Sequence, residues 1–249
     1  MNFTTDLTSR DGFVLPAYVA VPERKPRGSI VVLQEIFGVN AHIRAVVDGY
    51  AKAGYLAVAP ATFHRIKAGV ELGYNDEDMA TGRALKTAVE AKASPGGDPV
   101  TPLVMQDIQA AVNYAATAGK MATQDTTVAG GKGSNVGVVG YCWGGLLTWR
   151  AACLLTGVSA AVPYYGGGMT VGTEPARKPK CPVMCHFGEL DKHITLPTVQ
   201  AFQAAQKDVE VNLYWADHGF NCDHRGSYNG AAAELALERT LGFFANYLR

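Results

Sequence analysis

The six residues Gly140-Tyr141-Cys142-Trp143-Gly144-Gly145 constrain the fold of this chain more than any other stretch. They end an apolar run that starts at Val136 and lead directly into a segment of helical periodicity at 144–155. A strand that turns sharply into a helix strains the residue at the corner, and the positions two residues away must be small. Glycine stands at both of those positions around Cys142. This is the G-x-nucleophile-x-G elbow, with cysteine as the nucleophile. Cys142 is also placed at a helix N-terminus, where free N–H groups and the helix dipole favour negative charge.

The rest of the chain repeats the same alternation. Short runs rich in Val and Tyr, bounded by turn residues, predict strands at 13–21, 30–34, 55–60, 136–141, 159–165, 182–187 and 209–215. Helical periodicity predicts helices at 41–53, 76–93, 100–117, 144–155, 197–206 and 231–248. The runs at 30–34, 55–60 and 136–141 are almost wholly apolar, as parallel strands covered on both faces must be. The expectation is an α/β fold of three layers, a mostly parallel sheet with helices on both faces. We read 1–249 as one domain, with an excursion at about 64–97 that forms a substrate wall.

Composition narrows the function. Lys and Arg number 22, as do Asp and Glu, so the net charge is zero and no long-range field draws nucleic acid or anionic lipid. Hydrophobic residues make up 48%, which excludes a disordered chain. The apolar runs are too short to cross a membrane, and the first ten residues carry no secretory pattern. Five cysteines with no C-x-x-C pair point to a reducing, cytoplasmic setting. The glycine-rich stretch 130–134 fits neither a Walker loop nor a dinucleotide fingerprint, because Lys132 is followed by Gly133 and Val136 takes the third glycine's place. No cofactor is expected.

An elbow of this kind takes its partners in the order nucleophile, acid, histidine. Asp191 follows the strand at 182–187 and His218 follows the strand at 209–215, both at strand C-termini, where open α/β sheets hold functional groups. Glu189 and Asp217 are the lesser candidates for the acid. Cys222 and His224 with His218 suggest metal ligands, but Cys181, Cys185 and His186 supply no second pair at zinc spacing, so no metal is expected. Trp143, Tyr164 and Tyr165 are candidates for the pocket lining, equally well read as aromatic core. His64, Arg65 and Arg83 belong to the excursion and read mainly as solvated charge.

These residues resemble the dienelactone hydrolases (carboxymethylenebutenolidases), a family of the α/β-hydrolase fold. The likeness rests on Gln34 to Gly38, Gly140 to Gly145, Tyr164-Tyr165-Gly166, Gly188 to Asp191, His218-Gly219-Phe220 and Glu238-Arg239-Thr240. It implies a triad of Cys142, Asp191 and His218, with Glu35 as a carboxylate that contacts the resting nucleophile. It implies an oxyanion hole made by the backbone N–H groups of Ile36 and Trp143. The family arginine that follows the catalytic histidine has no match in Asn221-Cys222-Asp223, which leaves Arg225 and Arg83 as candidates for holding a substrate carboxylate. The implied activity is hydrolysis of a small ester or lactone of the dienelactone type through an acyl-enzyme. The alternatives are a broader carboxylesterase or thioesterase, or a non-catalytic ligand-binding or redox-sensing relative.

Overall fold

The computed structural model describes residues 1–92, 103–123 and 135–248. The stretch 130–134, the end of the excursion from 93 and the expected helix start at 100 lie outside them.

A five-residue run of buried aliphatics can be satisfied only by strands on both sides and helices above and below. Four neighbouring segments, besides the more polar Met184–Gly188, are buried over their whole length: β3 (Ser29–Leu33), β4 (Leu56–Pro60), β5 (Val136–Tyr141) and β6 (Ala160–Tyr164). They sit near the middle of an eight-stranded sheet ordered β1-β2-β4-β3-β5-β6-β7-β8. The remaining strands are β1 (Asn2–Thr8), β2 (Val14–Ala20), β7 (Met184–Gly188) and β8 (Glu210–Tyr214). Pairing from β4 to β8 is parallel, while β1 and β2 add an antiparallel edge.

Among the described residues, six α-helices cover the sheet: α1 (Ala41–Lys52), α2 (Asp76–Glu90), α3 (Leu103–Thr123), α4 (Trp143–Leu154), α5 (Leu196–Ala205) and α6 (Gly230–Tyr247). Strand β5 shows how the layers are assigned. Gly137 faces Phe244 of α6 and Gly140 faces Thr148 of α4. Residues three apart on a strand point to opposite faces, so α4 and α6 cover opposite sides. This is the three-layer α/β fold expected from the sequence.

The chain passes from β3 to β4 on one side and later returns to place β5 on the other side of β3. The sheet therefore has a switch point between β3 and β5. Loops diverge there and leave a crevice at the strand C-termini, the usual binding position in open α/β sheets. Glu35 follows β3 and Cys142 follows β5, so both open onto this crevice.

One strand was not expected. The β1 edge pairs with β2 along its full length but buries only Leu7 completely, so its apolar signal is weak. Arg65, read from sequence as solvated charge, is instead buried between two carboxylates: Nε donates to Asp107 at 2.7 Å and Nη1 to Asp11 at 2.7 Å. This group ties the β1–β2 hairpin to α3. Among the described residues, no helix is long and apolar enough to cross a membrane.

Candidate active site

The glycines around Cys142 are required by backbone contacts. A Cβ on Gly140 would overlap the Gly144 carbonyl, and one on Gly144 would overlap the carbonyls of Leu33 and Gln34. A Cβ on Gly145 would lie 2.6 Å from the Tyr164 carbonyl oxygen. Helix α4 can start this close to three strands only without those side chains. The corner residue itself, Cys142, has φ +55° and ψ −115°, a conformation that non-glycine residues rarely adopt. The strain lifts the thiol out of the sheet toward the crevice.

Two loops bring polar groups to that thiol. His218 Nε2 lies 3.2 Å from Cys142 Sγ, and His218 Nδ1 donates to Asp191 Oδ2 at 2.7 Å. Asp191 is buried, and its other oxygen accepts the backbone N–H groups of His193 (2.7 Å) and Ile194 (3.0 Å). Burial raises its pKa, but the His218 hydrogen bond and charge outweigh that and leave it below the usual carboxylate value. For His218 burial again opposes the charged form. The Cys142 sulfur and the Asp191 carboxylate overcome it and carry the ring up to about 10. The lesser acids, Glu189 and Asp217, are exposed, and Asp217 accepts the backbone N–H of His218.

Glu35 is buried, and its Oε1 lies 3.4 Å from Nη1 of Arg225. Among the described residues Cys142 Sγ hydrogen-bonds His218, and no hydrogen bond joins it to Glu35. Arg225 also packs over Phe37, and a Cβ on Gly219 would strike its guanidinium. Arg225 is therefore seated on the His218 loop, while Arg83 is exposed on α2.

Trp143 is the first residue of α4, where N–H groups have no intrahelical acceptor. Its indole donates to Glu90 at 3.1 Å and stacks on Phe63 at 5.0 Å. Ile36 turns immediately after Glu35, and Gly82 of α2 packs against its carbonyl so closely that a Cβ there would overlap the oxygen. Glu90 and Gly82 of the excursion thus touch Trp143 and Ile36, the two residues considered for the oxyanion hole.

The two tyrosines part company. Tyr165 has φ +35°, is fully buried, and sets its ring 5.2 Å from that of His218, its hydroxyl unpartnered among the described residues. Tyr164 points instead into the core, where its hydroxyl and Thr240 hydrogen-bond at 2.7 Å. His186 joins them, 3.0 Å from Thr240 and 2.8 Å from the Tyr214 hydroxyl, and Arg239 donates to Tyr214. Thr240 and Arg239 in the Glu238-Arg239-Thr240 motif hold this buried network. Sequence reasoning missed His42, which carries no motif and reaches the crevice only through the placement of α1.

A mostly parallel sheet with a strained nucleophile at its switch point, and acid and histidine on later strand ends, is the construction of an α/β-hydrolase. The model of the dienelactone hydrolase family matches residues 15–248, and the chain belongs to that family, hydrolases that act on ester and lactone bonds. It is 33% identical over 244 residues to the carboxymethylenebutenolidase of Pseudomonas putida, covering 96% of this chain and 94% of that one. A Klebsiella pneumoniae chain provisionally named a dienelactone hydrolase superposes with a TM-score of 0.75 at 29% identity, over 99% of this chain and 100% of that one. At 16% identity, esterase 2 of Thermogutta terrifontis shares the fold with a TM-score of 0.65, over 98% and 93% of the two chains.

Proposed function

We propose that this protein hydrolyses a small ester or lactone of the dienelactone type through an acyl-enzyme on Cys142. The observation that carries the reading is the continuous chain of short contacts from Cys142 Sγ through His218 to Asp191 at the elbow. Cys142 attacks the carbonyl carbon while His218 takes the thiol proton. Asp191 fixes the ring orientation and stabilises the imidazolium. The backbone N–H groups of Ile36 and Trp143 receive the developing oxyanion, where one such donor contributes about 3 kcal/mol to the transition state. His218 returns its proton to the leaving oxygen, which in a lactone stays attached as the far end of the same molecule. Water, activated by His218, then cleaves the thioester and restores the thiol.

Glu35 and Arg225 supply the polarity of the pocket. Arg225 has one hydrogen-bonding face on Glu35 and is partly exposed, which suits it to a substrate carboxylate. Tyr165 supports the His218 ring from the side.

The reading is tested by kcat/KM for a panel of enol-lactones and aryl esters, each with and without a carboxylate. Hydrolysis of the carboxylate-bearing lactones at the highest kcat/KM is expected. Preference for neutral aryl esters would favour a broader carboxylesterase, and no turnover of either class would contradict the proposal.

A further inference from the structure

Beside the thiol–imidazole pair, three buried side chains from separate parts of the chain converge without a role in the chemistry just described, Glu35 apart. They are Glu35 after β3, His42 in the first turn of α1, and Cys222 in the loop after His218. One ligand atom from each lies within 4.8 Å of the other two. We propose that Glu35, His42 and Cys222 form a binding site for a thiophilic divalent cation of the zinc type.

The first argument is what these groups leave unsatisfied. Glu35 gives Oε1 to Arg225, but its Oε2 is buried with no hydrogen-bond partner among the described residues. His42 is 4% exposed, and its Nε2 is likewise buried and unpartnered. A buried polar atom with no partner has given up its water for nothing and destabilises the fold. Here two of them belong to side chains that bring a ligand atom within 4.8 Å of each other and of the buried Cys222 sulfur.

The second argument is the orientation of the imidazole. His42 Nδ1 lies 3.3 Å from Asp223 Oδ1. A carboxylate on Nδ1 keeps the proton there and presents Nε2 as a lone pair, the arrangement that supports metal-bound histidines. Asp223 sits next to Cys222, so one loop supplies both a ligand and the support for another.

The third argument is charge. A divalent cation with the Glu35 carboxylate and a Cys222 thiolate is neutral, since the thiol proton leaves to solvent on binding. With the Arg225 guanidinium on Glu35 Oε1 the group sums to +1, and the Asp223 carboxylate on His42 Nδ1 brings it to zero, which lowers the cost of burying the ion. One sulfur, one imidazole nitrogen and one carboxylate oxygen suit zinc, with a fourth tetrahedral position left for solvent. The ligand atoms must draw together by about 1 Å to reach zinc bond lengths of roughly 2.0–2.3 Å. The metal would clamp the His218 loop to β3 and α1. Because it engages Glu35, occupancy would inhibit hydrolysis; that consequence rests on the function proposed above, whereas binding itself does not.

The test uses the full chain carrying Cys142→Ala, which removes the competing thiol at the elbow. Titration with Co²⁺ is followed by thiolate-to-cobalt charge-transfer absorption, and Zn²⁺ by competition. The expected result is one equivalent bound with the charge-transfer band. Cys222→Ser in the same background should abolish the band, His42→Gln should weaken binding by more than tenfold, and Asp223→Asn by roughly tenfold. Absence of the band, or a band of equal strength in the Cys142→Ala/Cys222→Ser protein, would overturn the proposal whatever the substrate assays show.

Discussion

The Arg225 guanidinium lies 3.4 Å from the buried Glu35 carboxylate, although the two residues are 190 positions apart. The pair joins the loop after β3 to the loop that carries His218, and it places the only charge balance for Glu35 seen among the described residues on a side chain that still reaches solvent.

Substrate charge is the first consequence. Arg225→Ala should lower kcat/KM for carboxylate-bearing substrates relative to neutral ones by about 1.5–3 kcal/mol, the range for hydrogen bonds to charged groups. Taking the ratio removes any general effect of leaving Glu35 unpaired. Arg83→Ala, at an exposed position of α2, should leave the ratio unchanged. The reverse pattern would move carboxylate recognition away from Arg225.

Backbone contact at the elbow gives the second. Gly144→Ala should destabilise the protein by at least about 3 kcal/mol in urea unfolding, because the new methyl meets carbonyl groups that cannot retreat. Gly242→Ala, in α6 with open space around it, should stabilise by roughly 0.5–1 kcal/mol. Equal effects at the two glycines would mean that α4 does not approach β3 as closely as described.

A third concerns Asp107, fully buried beneath Arg65. Asp107→Ala should cost about 3–5 kcal/mol, since it leaves a largely buried guanidinium short of a partner. Arg65→Met combined with Asp107→Leu should recover much of that loss, because the apolar pair needs no desolvated charge. A double variant no more stable than Asp107→Ala alone would contradict this account.

Much of this was legible in the sequence, for identifiable reasons. Backbone crowding at Gly140, Gly144 and Gly145 forces glycine, so the elbow announces itself. Strands buried on both faces are apolar throughout, so β3, β4 and β5 do too. Edge strand β1 hides a single buried Leu7 among polar residues and leaves almost no periodic trace. Side-chain pairings that depend on tertiary placement left none: Arg65 reads as solvent charge until Asp107 is beside it, and His42 meets Cys222 only after α1 and the His218 loop converge. Tyr164 and Tyr165 are adjacent in sequence, yet alternation and the positive φ of Tyr165 send one to the core and the other to the site.

The fourth prediction is a pH dependence of stability set by His186. Burial, with some help from Arg239, lowers its pKa to about 3 against an ordinary value near 6.5. Between those values the unfolded chain binds one proton that the native state does not. Stability from this group is therefore present above about pH 6.5 and falls as pH drops toward 3, with a slope of about 1.4 kcal/mol per pH unit. His186→Phe should be less stable at pH 7, because Tyr214 and Thr240 lose a partner, but its stability should fall less steeply in acid. Parallel curves for the two proteins would show that His186 titrates normally in the native state.

The central claim is that Cys142 carries the acyl group. Rapid-quench mass spectrometry of the protein mixed with an enol-lactone or an activated aryl ester reads this directly. The account predicts a transient mass increase equal to the acyl group, mapped to the peptide containing Cys142, and neither adduct nor turnover in Cys142→Ala. Turnover without an adduct on Cys142, or an adduct that survives in Cys142→Ala, would contradict it.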